Sequence, residues 1–438
     1  MLTEYSHRHF LRFALLVPTI AMVTGSLLQT AWADVDFGGS LRLRYENKVD
    51  FNLDDSEQDY FLTQLRLYMD WKPSDKDQVL VELQDARVFG EVKTAFPPIN
   101  ADAQNQSFED PLDIHRLFYV RKWDGGQVKV GRQKFNLGDL RLVASLEWVN
   151  TARVHDAVRV SVGDAKKRKA DLFLSKLVSI DPDGFNNQSK SNNRYFDSSF
   201  HGAFVADKIT LQDDELEYWY FLRDNSDFND TVHTIGARYV AEAGGWNVDI
   251  QGAFQTGDFS GLDHSAYMFH VGGERGALGG KLGFAYNHGS GDSDPTDTDH
   301  ETFDNLYPLN HAYYGYMDLF SLQNIHNLEA VYEKGIGAIT KLRVALQSFW
   351  LADTSDAWYN AALAGNTDRL AAALAAKAAG MSVDSHVGSE IDITLKYPLN
   401  KKWVLAGGYS HFFAGGYTED TGNSRDANFF VLMTKVTF

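Results

Sequence analysis

The sequence predicts an all-β protein, a single antiparallel transmembrane β-barrel of about 18 strands preceded by a cleaved signal peptide. Three observations carry this expectation. Apolar and polar residues alternate along one segment after another, the period of an extended strand with two different faces. The connections are sorted by parity, tight after even-numbered strands and often long after odd-numbered ones, which a soluble sandwich has no reason to do. The chain also closes on an amphipathic run whose last residue is Phe438.

Composition sets the outer bounds. The 438 residues are 13% aromatic, carry a formal net charge of -18 and contain no Cys. Mean hydropathy is -0.32, and beyond residue 33 no apolar run approaches the ~20 residues of a spanning helix, which excludes a helical bundle. Without Cys there are no disulfides, no thiol catalysis and no Cys-ligated zinc. The acidic balance argues against nucleic acid as a partner, because that affinity rests on neutralising phosphates.

The leader comes first. Residues 1–33 run from His7, Arg8, His9 and Arg12 through an apolar stretch, Phe13 to Leu28, to Ala31-Trp32-Ala33 before Asp34. Basic, apolar and small-residue regions in that order predict a Sec signal peptide. The barrel is then expected over 34–438.

Eighteen segments follow as strands, at 36–47, 60–72, 77–88, 112–123, 126–134, 155–163, 168–178, 194–206, 212–223, 231–242, 245–256, 265–273, 277–288, 323–334, 338–350, 386–397, 402–413 and 428–438. Lys341-Leu342-Arg343-Val344-Ala345-Leu346-Gln347 shows the alternation clearly, and most segments reach the ~9–11 residues of a tilted membrane strand. Tight connections such as Asp124-Gly125 and Gly335-Ile336-Gly337 face one side. Long ones, above all the extracellular loops 289–322 and 351–385, face the other. In the last segment Phe430, Leu432, Thr434, Val436 and Phe438 share one face, resembling the signal read by outer-membrane assembly machinery.

Several blocks resemble the alginate export family of outer-membrane porins. They are Gly131-Arg132-Gln133, Gly138-Asp139-Leu140-Arg141-Leu142-Val143 and Glu147-Trp148-Val149-Asn150-Thr151, then the run from Thr302 to Asp318. His386 to Asp392, Gly408 to Phe413 and Asp426 to Phe430 complete the series in family order. The resemblance implies a monomeric barrel in the outer membrane of a Gram-negative bacterium and, from the family's best-known member, export of the polyanion alginate through an arginine-lined lumen. That member also closes its pore with a long periplasmic loop between its last strand pairs. Here the corresponding connection is only Pro398 to Lys401, so a more open channel is expected.

Strand parity places the candidate lumen cations. Arg42 and Arg44 lie opposite Leu41, Leu43 and Tyr45; Arg66 opposite Leu65, Leu67 and Met69; Arg159 opposite Val158 and Val160; Lys341 and Arg343 opposite Leu342, Val344 and Leu346. An Arg facing lipid at mid-bilayer costs ~2–4 kcal/mol, and rings of cations favour anions in a pore. Arg132 shares parity with Val128 and Val130, so either the valines face inward or Gly131 re-aims the chain as a bulge would; the resemblance favours an inward Arg132. Arg141, inside a matching block, joins the candidates. Glu46, Asp70, Glu82, Asp249, Glu390 and Asp392 also point inward, so porin lumens being polar is the plainer account of the same pattern.

The expected function is an outer-membrane porin passing anionic, alginate-like polysaccharide or small anionic solutes. The alternative is a general or nutrient-uptake porin of weak selectivity. A barrel enzyme would need a nucleophile and a base within reach; Ser410 and His411, as neighbours, point to opposite faces, and no nucleophile motif is present. Asp292, Asp294, Asp297 and Asp299 have the oxygen density of a calcium loop, without the glycine of a helix-loop-helix site, and no cofactor is called for. Loop 289–322, rich in Tyr around Tyr307, Tyr313, Tyr314 and Tyr316, is expected to stay ordered against the inner wall. The Ala-rich stretch Leu363–Gly380 is expected to be a short helix, loosely held because Ala buries little area. Lipids and lipopolysaccharide complete the expected partners.

Overall fold

Side chains of an extended strand leave alternately toward bilayer and lumen, so each amphipathic segment above can serve as one stave of a closed wall. The computed structural model describes residues 34–90, 92, 108–187, 195, 198–211, 214–337 and 340–438. The expected leader lies outside the described residues.

Eighteen wall strands occur among the described residues. They are β1 (Val35–Val49), β2 (Glu57–Ser74), β3 (Asp77–Gly90), β4 (Asp110–Trp123), β5 (Gly126–Gln133), β6 (His155–Asp164), β7 (Arg168–Leu177), β8 (Ser199–Asp207) and β9 (Glu215–Asn225). The second half is β10 (Asp230–Ala243), β11 (Trp246–Phe259), β12 (Leu262–Ala277), β13 (Gly280–Gly289), β14 (Ile325–Ile336), β15 (Thr340–Trp350), β16 (His386–Pro398), β17 (Trp403–Ala414) and β18 (Ala427–Thr437). Each pairs antiparallel with the next, and β1 pairs with β18, Leu41 opposite Val436, which closes the barrel and leaves no edge. A two-residue bridge, Asp299–His300, lies against the loop end of β12 outside this wall.

All even-to-odd connections are short, from 244–245 and 278–279 to 208–214 and 399–402. Among the odd-to-even ones 134–154, 290–324 and 351–385 are long, while 226–229 and 260–261 are tight, because β9–β10 and β11–β12 continue as plain hairpins. Outward positions are apolar and exposed, including Leu43, Leu172, Leu174, Ile235, Leu346 and Leu432. Trp71, Trp123, Tyr397 and Trp403 stand exposed near the short-turn end, where an aromatic girdle meets the interface.

The barrel's core lies inside its loop end. Phe303, Tyr307, Tyr314 and Phe320 from loop 290–324, with Phe135 and Leu137 from loop 134–154, pack against inward Phe173, Phe200, Phe221, Phe349 and Phe412 of the wall. The two loops are joined by parallel backbone pairing: Tyr307 N–H donates to the Leu142 carbonyl (2.9 Å), Ala144 N–H to Tyr307 (2.8 Å) and Leu309 N–H to Leu140 (3.0 Å).

The Ala-rich stretch forms α1 (Thr367–Ala378), capped by Asn366, whose side chain accepts from Arg369 N–H. It is held more firmly than its small side chains predict. Ala373 is fully buried, and the buried Arg369 guanidinium donates to the Thr418 carbonyl (3.0 Å), Thr421 and the Asn423 carbonyl, around the helical turn α2 (Gly416–Thr421). Alanine area was the wrong quantity; one charged side chain bonded to loop carbonyls anchors the helix.

Candidate functional site: a basic wall and two inward loops

The first three candidate arginines share one patch of wall. On β1, Arg42 and Arg44 alternate with exposed Leu41 and Leu43, and on β2 Arg66 stands beside them, all three buried from solvent. They are occupied by loop 134–154. Arg42 donates to the carbonyls of Glu147 (2.7 Å) and Val149 (3.0 Å) and to Asn150. Arg44 donates to the Trp148 carbonyl, pairs with Glu46 (2.7 Å) and lies 4.2 Å over the Trp148 ring. Arg66 binds Gln84 and the Glu147 carboxylate (2.6 Å). These side chains therefore anchor the loop that narrows the lumen, and most of their bonds go to neutral carbonyls that leave the charge intact.

Glu147 is the loop's counter-charge. Burial alone would raise its carboxyl, but Arg66 and Lys134 (2.5 Å) beside it hold it down, to about 2. Asn150, with no exposed surface, joins the loop to β2 and β3 through the carbonyls of Thr63 and Arg87, and to the connection before β4 through that of Phe108.

Arg132 is buried but does not face the lumen, which corrects the inward expectation: it stands opposite exposed Leu117 on β4 and opposite Asp156 on β6, on the outer face it shares with Val130, while the next residue, Gln133, stands opposite buried His155. Gly131 has a φ of +117°, and a Cβ there would sit 2.3 Å from the Leu117 carbonyl oxygen, but the pairing with β4 and β6 runs through it without a shift, so it does not re-aim Arg132. Arg132 pairs with Asp156 (2.9 Å) and donates to Ile114 and Asn186. Arg159 is held by both oxygens of Asp171. Arg141 sits in loop 134–154 and clamps the two loops together, paired with Asp139 (2.8 Å), donating to Asn287 and Tyr314, and 4.0 Å over the Tyr313 ring.

Lys341 and Arg343 stand apart from this group. Both are on β15, where Lys341, mostly exposed, pairs with Glu333 (2.6 Å) and Arg343 with Glu329 (2.6 Å). That wall also carries Glu390, which accepts from Met317 N–H (3.0 Å), and Asp392, which accepts from Ser410 (2.6 Å). The lumen is thus polarised, basic along β18, β1, β2 and β4–β6 and acidic along β14–β16.

Sequence parity left out two lysines on the basic side. Lys435 stands directly opposite Arg42 on β18 and makes no ion pair among the described residues, with Arg66 and Arg42 but also Glu147 and Glu82 in its surroundings. Lys129 stands opposite Arg159 on β5, 4.5 Å over the Phe118 ring, with Arg116 and Lys169 nearby. The signal for Lys435 was present, because it alternates with Leu432 and Thr434, but that strand was read only for its apolar face.

The four aspartates of the calcium-like loop do not converge, and among the described residues no three of His, Asp and Glu come together to hold a metal. Instead Asp292, Asp294 and Asp297 each accept the backbone N–H two residues on, turning the loop back on itself.

A closed eighteen-strand antiparallel barrel with an apolar exterior and a charged lumen narrowed by inward loops defines an outer-membrane porin. The family model described as alginate export matches residues 33–431, and the chain belongs to that family. It resides in the outer membrane of a Gram-negative bacterium, with lipid around it and solutes passing through it. Similar solved structures include Pseudomonas aeruginosa OccK5 (OpdH), at a TM-score of 0.61 and 13% identity over 92% of this chain and 98% of that one. Acinetobacter baumannii OccAB4 gives 0.60 and 13% over 93% and 98%, and Pseudomonas aeruginosa OccK8 (OprE) 0.59 and 16% over 92% and 98%. No curated protein matches the sequence significantly.

Proposed function

We propose that this porin passes anionic solutes, small organic acids or an alginate-like polysaccharide, along the basic wall of its lumen. The observation that carries this reading is the pair of lysines that make no ion pair among the described residues, Lys435 and Lys129, set among Arg42, Arg66, Arg116 and Arg159, whose carboxylate neighbours Glu147, Glu82 and Asp171 are each already paired with arginine. The arginines are fixed to loop and wall, so the lysines are the mobile donors able to exchange one anion for the next. At ~8 Å and an effective dielectric near ~20, each contributes about 2 kcal/mol of attraction, several times thermal energy. The acidic wall of Glu329, Glu390 and Asp392 supports a second reading, a weakly selective porin in which cations take the opposite side.

The reading extends to biogenesis. Residues 1–33 act as a cleaved leader, the last strand is read by the assembly machinery, and the barrel works as a monomer. Four residues at 399–402 reach at most ~14 Å when extended, too short for a periplasmic plug. The deciding experiment is a reversal-potential measurement in planar bilayers. Lys129→Gln with Lys435→Gln is expected to shift selectivity toward cations; unchanged selectivity rejects the basic wall as the filter.

A further inference from the structure

The outer face between β12 and β17 has a hollow where a barrel wall is ordinarily convex. A trough of about 650 Å³ runs over Ala330, Ser348 and Ser389, with Phe284, Leu346 and Phe413 standing along its sides. It exists because three adjacent outward positions carry small side chains where neighbouring ones carry Leu, Ile or Phe. The two serines bond each other (2.6 Å), so their hydroxyls are satisfied within the hydrocarbon layer. Leu346, Ser348, Ser389 and Phe413 lie in the loop-end halves of their strands and Phe284 and Ala330 near mid-strand, so the trough runs from mid-membrane up through the outer leaflet.

Directly above is a second hollow of about 720 Å³, sharing Tyr286 and Leu328 with the trough. This one is polar. Lys377 of α1 lines it, donating to Ser355 (2.8 Å) with Asp353 at 3.8 Å, and opposite them the Tyr286 hydroxyl meets His326 Nδ1 (2.6 Å). Leu374, one turn before Lys377, and Met381, just past the end of the helix, are exposed, 37% and 58%, which suits a helix end resting on a bilayer surface. An apolar slot continued by a polar basin with a partly exposed ammonium has the shape and polarity of one amphiphile with an anionic head.

We propose that this face is a binding site for lipid A, the anchor of lipopolysaccharide, with an acyl chain in the trough and a phosphate in the basin against Lys377. The site is separate from the lumen and does not depend on which solute the channel passes. Asp353 holds Lys377 toward the basin, and a phosphate there competes with it for the ammonium.

Native mass spectrometry of the detergent-purified barrel, titrated with lipid A or with phosphatidylethanolamine, tests the site. The parent protein is expected to retain one lipid A that phosphatidylethanolamine does not displace. Lys377→Gln should lower that retention by about tenfold, the scale of one charge-assisted contact. Ser348→Leu with Ser389→Leu fills the trough and should abolish retention, while Ala170→Leu, outward on β7, should leave it unchanged. Folding is followed by heat-modifiable mobility; if the trough variant does not fold, Lys377→Gln on the loop helix decides alone. Retention by Lys377→Gln equal to the parent, equal retention of phosphatidylethanolamine, or a dimer formed through this face overturns the proposal.

Discussion

A single carboxylate in the loops shows how burial sets pH dependence. Asp292 is 6% exposed, and burial, with Asp356 and Glu301 near it, pushes its carboxyl up to about 6. The folded state then holds a proton that the unfolded chain, with an ordinary aspartate near ~3.9, has released. Its contribution is therefore unfavourable at neutral pH, is relieved as pH falls through about 6, and is flat below ~4. Asp292→Asn should raise the melting temperature at pH 8 and narrow the difference between pH 8 and pH 5; an equal change at both pH values contradicts this. Glu147 has the opposite sign. Its carboxyl is held down to about 2, so its interaction with Arg66 and Lys134 is complete above ~4.3 and lost only as pH falls toward 2. Glu147→Gln is expected to increase anion preference at pH 7 by freeing Arg66 and Lys134, measured as a reversal-potential shift opposite in sign to that of the lysine variants. Inward direction was legible in the sequence for Arg42, Arg44 and Arg66, because parity alone decides it. Their occupation by loop carbonyls was not, because nothing local to β1 or β2 announces that Glu147 and Val149 will arrive there.

Elements were legible where a repeat spells them out. All eighteen wall strands fall within a few residues of the segments marked by alternation, since each is selected independently by the same two-sided environment. Loops lack such a repeat, and the errors gather there. The helix at Thr367–Ala378 was read correctly as a helix and wrongly as loosely held, because Arg369 draws its partners from residues some fifty positions away. Deleting 361–380 would therefore expose Trp358, now fully buried, and is expected to lower thermal stability while the barrel still assembles. Deleting 303–316 removes Tyr307, Tyr314 and the pairing to 140–144 and should impair selectivity as well. A 303–316 deletion that keeps the parent's conductance and reversal potential would show that the paired loops do not form the constriction. Asn150→Ala is the finer probe. Losing the two N–H donors that three carbonyls share at a buried position should cost about 2–4 kcal/mol, read as added open-channel noise and a lower melting temperature.

For the whole molecule, charge is sorted by surface. The net -18 is compatible with a basic pathway because the lumen is divided into a basic and an acidic side and many acidic residues sit in the loops, a partition that no total reports. Screening should act accordingly: raising salt from 0.1 to 1 M shortens the Debye length from ~10 to ~3 Å, and anion preference is expected to fall with it. Selectivity independent of salt would point to size rather than charge. The backbone pairing of the two inward loops has a consequence in time. Arg141 and Tyr314 are 173 positions apart, and every hairpin of the wall closes over a far shorter stretch of chain. The loops also pack on inward Phe173, Phe200 and Phe221 of one side of the wall and Phe349 and Phe412 of the other, so their docking needs the wall, including its seam between β1 and β18, to be in place first. A newly inserted barrel therefore passes through a stage in which its wall is complete and its lumen still wide. Conductance recorded during refolding should begin high and settle to the mature value in a second, slower phase, and the 303–316 deletion should remain in the first.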